Sequence, residues 1–343
     1  MKKISWVNSL KELPEKHHFI LMDILKFLCA FLVFYIHINL SQVCHNEFFA
    51  HVHHFFRNGI CRIAVPFYFA CSGFLLFRKI NTDKESNNKV QLFIARILKL
   101  YGIWMILSLF NTARSHLWFL LSLPFAVGLV YLCLKIKIKP IYILLIGFVL
   151  YLFGLLGDSW YGLILKINNR YLTAFFDNYF FYFINTRNGL FMGFIFVAIG
   201  MFIAKTDFKI NKILCFVSMV FFAVLFMLEC YCLTRYGNCK EYNMFLFLVP
   251  FTFFFLYCVV HININDDKTD KYLRLRDMGM LIFYSHLVIY YLLDFVITKF
   301  NLPSNMFVIV HFVASLVCTI LFAILVTAIA KKDKTKWIKW LYT

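Results

Sequence analysis

Three groups that hydrocarbon rejects stand together in one apolar run, Asp23, Lys26 and His37 in the segment DILKFLCAFLVFYIH. On a helix, eleven residues advance about 1100°, so Lys26 and His37 project from nearly one face, roughly 16 Å apart along the axis. Asp23 precedes Lys26 by three residues, within pairing reach on a helix surface. A charged side chain at the centre of a membrane helix costs about 2.5–3.5 kcal/mol on insertion scales, so such groups usually face a protein interior or a wet cavity. An imidazole titrates near neutrality and suits proton transfer, while a lysine can receive an anion or pair with the acid. A plainer reading has Lys26 snorkelling to the headgroups and His37 bonding a neighbouring helix. Spacing alone makes this face a polar pathway, equally suited to a transporter and to an enzyme.

Other polar groups recur in the apolar runs. Arg62 and Ser72 lie in NGICRIAVPFYFACSGFLLF, where Pro66 and Gly73 free carbonyls and permit close helix approach. GICRIAVPF also has the composition of a broken helix. Arg96 and Lys99 fall on neighbouring turns in FIARILKLY, as a positive flank or as a cationic mouth for phosphates. His116 belongs to RSHLWFL at the outer interface, where an aromatic belt is the default reading, and His286 to LIFYSHLVIYY, where a lone His is more often a packing residue than a catalyst. The cysteines lack metal or CxxC spacing and read as packing residues, so no metal is expected. Cys44, Cys230, Cys232 and Cys239 share one expected face, where a disulfide is open.

The elements that must position these groups are membrane helices. The 343 residues are 62% hydrophobic and 15% charged, against about 25% charged in ordinary soluble domains. Apolar runs of about 20 residues give ten expected spans, 20–43, 58–78, 91–112, 117–134, 140–157, 188–204, 213–233, 243–262, 278–298 and 305–329. Most of the 35 Lys and Arg residues fall on one side of this arrangement, which places both termini in the cytoplasm. The formal charge of +18 therefore reads as a topology signal with the lipid bilayer as partner, not as a nucleic-acid footprint. The expected class is all-α and polytopic, with a cytoplasmic segment 1–19, a membrane domain 20–330 and a basic tail 331–343. The run following the polar N-terminal segment is too long for a signal-peptide core, so no cleavable leader is expected. Residues 158–187, rich in Tyr and Phe, suggest an interfacial or re-entrant helix.

The ordered set of segments resembles the membrane acyltransferase-3 family. KFLCAFLVFYIH has its Lys or Arg, ten residues, then His; RIAVPFYFACSGFLLFRK is similar to its second-helix signature, FIARILKLY to its following basic stretch, and YSHLVIYY to its late His segment. SHLWFL and TRNGLFMGFIFVAIGMFIAK resemble the variant found in the membrane module of vancomycin-resistance-type serine racemases. The resemblance implies a ten-helix O-acyltransferase of the bacterial cytoplasmic membrane. Acetyl-CoA or another acyl-CoA would be its cytoplasmic co-substrate, with no tightly bound cofactor, and a hydroxyl of an envelope glycan or lipid-linked precursor its acceptor. His37 would be the base, with Asp23 pairing Lys26. Lys26, Arg96 and Lys99 would hold the donor's phosphates. Arg62, Ser72, His116, Arg187, Asn188 and His286 would line the acceptor or oxyanion cavity. Lys26 stands where Arg is commoner, and no appended transferase or racemase domain is expected. A homo-oligomer is left open. The alternative from another class is a transporter of a small polar molecule such as serine, using the same polar groups without chemistry.

Overall fold

A computed structural model describes residues 3–10, 13–14, 17–37, 40, 47–81, 83–108, 116–183, 185–267 and 269–343; Cys44 lies outside them. The chain is a bundle of helices, α1 (Ile20–His37), α2 (Glu47–Asn58), α3 (Ala64–Phe77), α4 (Lys84–Leu107), α5 (Trp118–Lys135), α6 (Pro140–Leu156), α7 (Tyr161–Ile167), α8 (Arg170–Phe183), α9 (Phe194–Lys205), α10 (Lys212–Tyr236), α11 (Leu248–His261), α12 (Thr269–Ile297) and α13 (Ser304–Ile329). Among the described residues, seven helical spans are long and apolar enough to cross a membrane, or eight if α6 and α7, bent by 69°, form one span. The protein is thus a multi-pass membrane protein in contact with the bilayer. Two of the ten expected spans are shorter apolar helices, Gly189–Lys205 and Leu248–His261, and the physical reason is local unwinding, described below.

The second expected span begins earlier than position 58. Glu47–Phe77 forms one long apolar unit, interrupted by a 3-10 turn at Ile60–Ile63, which is where GICRIAVPF suggested a break. Residues 158–187 hold the short α7 and the amphipathic α8, whose Tyr171, Phe181 and Tyr182 stay exposed. The expected all-α class holds, with one small two-stranded addition. Lys3–Trp6 (β1) and Ile262–Asn265 (β2) pair antiparallel, with Lys3 opposite Asn265 and Trp6 opposite Ile262. Trp6 stacks on His261 at 5.4 Å. Four-residue strands are too short to stand out from the apolar patterning around them.

Two helix pairs form the frame of the bundle. In α3 and α9 the backbones touch. A Cβ at Gly73 would meet the Val197 carbonyl, and one at Gly200 would meet the Ala70 carbonyl and the Phe74 amide. Small residues at such crossings let membrane helices gain packing that larger side chains forbid. In the second pair, α12 brings Gly279 to within 3.0 Å of the Phe27 Cα on α1, measured from an added Cβ. Gly200→Ala must separate two backbones rather than displace a flexible side chain. It should therefore destabilise by about 1–3 kcal/mol, as overpacking does, and thermal melting of the detergent-solubilised variant checks this. An unchanged melting temperature would mean that α3 and α9 are not in backbone contact.

Candidate functional site

The polar residues collect around two cavities. The smaller, of about 30 Å³, is lined by His37, Arg62, His116, Trp118, Arg187 and Asn243, among apolar neighbours. That volume holds very few waters. His37 ends α1, and its ring lies 5.3 Å from that of His286 and 6.2 Å from that of His116. His116 and His286 are 4.8 Å apart. The His286 Nδ1 lies 2.8 Å from the Phe283 carbonyl and 3.1 Å from the Ile282 carbonyl. A carbonyl can only accept, so Nδ1 carries the proton and Nε2 is left as an acceptor.

Both guanidiniums of this cavity converge on one neutral atom. Arg62 donates to the Asn243 Oδ1 at 2.6 Å and Arg187 donates to the same oxygen at 2.9 Å. Arg62 also reaches the Asn58 Oδ1 at 3.2 Å, and Arg187 lies 4.9 Å over the Trp118 ring. Asn243 is in turn held by the buried Asp158, which accepts from its backbone N at 2.8 Å and its Nδ2 at 3.0 Å.

Each of these three residues sits where the helix is not α. Arg62 belongs to the 3-10 turn after Gly59. Arg187 precedes a π-helical stretch, Gly189–Gly193, which Asn188 caps by accepting from the Leu190 and Phe191 amides. Asn243 opens an irregular segment ahead of α11, whose amides would be orphaned at membrane depth without partners. Buried side chains supply them. The Asp158 carboxylate takes the amides of Asn243 and Met244, the Tyr151 hydroxyl takes that of Phe245, and Glu229 takes those of Leu246 and Phe247 together with the Trp160 indole. Satisfying five successive amides in this way fixes Asn243 in the cavity wall and shortens α11.

The larger cavity, about 380 Å³, is lined by Lys26, Ser72, Lys79, Arg96, Arg276 and Tyr68 among apolar residues. Tyr68 donates to the Lys26 carbonyl at 2.6 Å, tying α3 to α1. Phe119 and Phe283 line both cavities, and with Tyr68 they form a close aromatic layer, Phe119–Phe283 at 5.6 Å, Tyr68–Phe283 at 5.6 Å and Tyr68–Phe119 at 6.0 Å. The layer is the wall between the two spaces.

The helical face read from the sequence thus serves two compartments, with Lys26 in one and His37 in the other. Arg96 joins Lys26, while Arg62, His116 and Arg187 join His37, and His286 packs behind His37 rather than lining the cavity. Four expectations are corrected. Asp23 does not pair with Lys26: the segment just before α1 puts the His18 Nε2 2.5 Å from the Asp23 Oδ2. Lys99 points away from the cavity and lies 5.2 Å over the Trp340 ring. Ser72 faces the Lys26 cavity, its hydroxyl donating to the Tyr68 carbonyl at 2.8 Å. Asn188 is spent on its helix cap and on the Tyr179 hydroxyl at 2.6 Å. Cys230, Cys232 and Cys239 are free thiols. Asn243 and Asp158 escaped the sequence reading because each stands at the edge of an expected span, where a single polar residue carries no periodic signal.

The sequence is 29% identical over 229 residues to a serine/alanine racemase of Enterococcus gallinarum, covering 59% of this chain and 32% of that protein. It is 26% identical over 307 residues to an amino-acid racemase of Enterococcus faecalis, covering 80% of this chain and 41% of that protein. A further amino-acid racemase of Enterococcus faecalis is 27% identical over 181 residues, 46% of this chain and 24% of that protein. The chain therefore spans less than half the length of these relatives. No family model matches it, and no solved structure does. These distant homologues agree with the resemblance to the racemase-linked membrane module. They overturn the expectation of an O-acyltransferase, because racemases are isomerases, and nothing supports acyl-CoA or a glycan as partner.

If Asn188 is a cap and not a ligand group, Asn188→Ala should lower stability by about 1–2 kcal/mol without changing how strongly any substrate binds. Parallel melting and binding measurements check this; a binding loss without a melting shift would return Asn188 to the site.

Proposed function

We propose that the chain is a membrane carrier for a small amino acid, serine being the first substrate to try. The observation that carries this reading is the pair of polar cavities divided by the Phe119–Phe283 layer, with unwound backbone around the smaller one. Carriers commonly bind small polar substrates near mid-membrane, at discontinuous helices whose interrupted backbone lines the site. The 3-10 turn at Arg62, the π-helical stretch after Arg187 and the irregular segment at Asn243 are three such interruptions around one cavity. The names of the relatives supply the substrate class, since serine, alanine and amino acids are what those proteins are named for.

In this reading the Lys26 cavity is the vestibule on the Lys- and Arg-rich side, which the positive-inside rule puts in the cytoplasm of a bacterial cell. His37 stands beyond the aromatic layer, where the substrate is held. Its ring, with that of His116, offers imidazole nitrogens that can accept from an ammonium or hydroxyl. Passage requires the layer to part, because a 30 Å³ space is smaller than an amino acid. The two cavities then open alternately, which keeps a continuous water path from forming.

Counterflow tests the reading. Proteoliposomes preloaded with unlabelled L-serine should take up labelled L-serine with no acyl donor present. Folded His37→Ala should reduce the rate at least tenfold, and Phe283→Ala should add a leak of preloaded serine. Absence of counterflow with L-serine, D-serine, L-alanine and glycine would sink the carrier, as would full activity in His37→Ala with an unshifted melt.

A further inference from the structure

Arg62 and Arg187 present an unusual charge arrangement. Two guanidiniums share one amide oxygen, and among the described residues neither makes an ion pair with a carboxylate. Like charges held this close inside an apolar bundle repel, and each loses hydration that must be replaced. The carboxylate nearest by bonding, Asp158, is committed. Its oxygens accept from the Asn243 N and Nδ2 and from the Met244 N. Glu241, with its Oε2 3.3 Å from the Asn243 Nδ2, belongs to an exposed residue. The Nε atoms of both Arg62 and Arg187 are buried with no hydrogen-bond partner among the described residues. An orphaned buried donor costs about 1–3 kcal/mol, more when charged, and here there are two beside a shared cavity.

We infer that the His37 cavity is a carboxylate-binding site, in which Arg62 and Arg187 together hold the anion and Asn243 positions them. A guanidinium is a planar fork that matches the two oxygens of a carboxylate. With Nη1 of each arginine pinned on the Asn243 Oδ1, the forks are fixed relative to one another before the anion arrives. The remaining N–H groups, including both orphaned Nε atoms, are the donors available to it. A carboxylate supplies the missing negative charge and the missing acceptors, which a neutral amide or alcohol cannot do together. The adjoining imidazoles of His37 and His116 then face whatever the acid bears on its α-carbon. Asn243 is a positioning residue, fixed by Asp158 from behind. That the acid is an amino acid rests on the carrier reading; that it is a carboxylate rests on the arginines.

The test is direct binding to the purified full chain in detergent, at constant chloride, by calorimetric titration with thermal melting in parallel. Acetate, glycine and L-serine are titrated against acetamide and serinamide. The carboxylates should bind saturably and raise the melting temperature, and the amides should do neither. Arg62→Gln and Arg187→Gln should each weaken acetate binding at least tenfold. Asn243→Asp combined with Asp158→Asn, which exchanges donor and acceptor across the 3.0 Å contact between the two side chains, should place a carboxylate between the two guanidiniums, keep the melting temperature, and abolish acetate binding. This double variant remains informative if the arginine variants do not fold. Amides binding as well as acids, or acetate binding unchanged in the folded double variant, would overturn the proposal. Carboxylate binding with no serine counterflow would fell the carrier and leave the site. Equal counterflow of serine and serinamide would fell the site and leave the carrier.

Discussion

The structure turns on one amide oxygen, the Asn243 Oδ1, on which two guanidiniums converge inside a membrane bundle. An amide oxygen accepts both without adding charge, but only if the amide cannot rotate. The Asp158 carboxylate prevents rotation by accepting from the amide nitrogen and from the backbone behind it. Around this point the chain gives up regular helix and compensates with buried acceptors, Asp158, Tyr151 and Glu229, each aimed at a backbone amide. These acids are buried because the fold needs acceptors where it has no helix. Their role explains how two carboxylates can be held inside the bundle without an ion pair to either cavity arginine.

The cavities follow from the same departure. Continuous α-helices of matching length would pack side by side and close the interior with aliphatic side chains. The short α9 and α11, with unwound approaches, instead bring polar groups into the bundle from irregular segments. The aromatic layer then keeps the two polar spaces apart. Phe119 and Phe283 come from α5 and α12, and Tyr68 from α3, so the partition is assembled from three helices and depends on their relative position.

Much of this was legible in the sequence. The apolar runs located the helices, and the Lys26–His37 spacing located a polar face running along α1. Arg62, His116 and His286, polar in apolar surroundings, gather near His37, as does Arg187 from the segment that carried the family resemblance. Partners contributed by irregular segments were not legible. Asp23 lies three residues from Lys26, yet the segment before α1 offers His18, and helical periodicity does not report a partner from outside the helix. Lys99 lies one turn from Arg96, but a 3-residue step on a helix turns the side chain about 60° short of a full turn, enough to meet Trp340 rather than the cavity. The motifs read as acyl transfer did not identify the chemistry, because an imidazole and cations along a polar face are compatible with more than one.

The glycine contacts divide the bundle into mechanical parts. Where α3 and α9 meet backbone to backbone at Gly73 and Gly200, there are no side chains to bend, so the two helices can shift only as one body. The contact of Gly279 with α1 binds α1 to α12 in the same manner. The Lys26 cavity lies between these bodies, with Ser72 on one and Lys26, Arg276 and Phe283 on the other. Part of its wall is therefore the seam between two stiff pairs, and the Tyr68 hydroxyl on the Lys26 carbonyl fastens that seam.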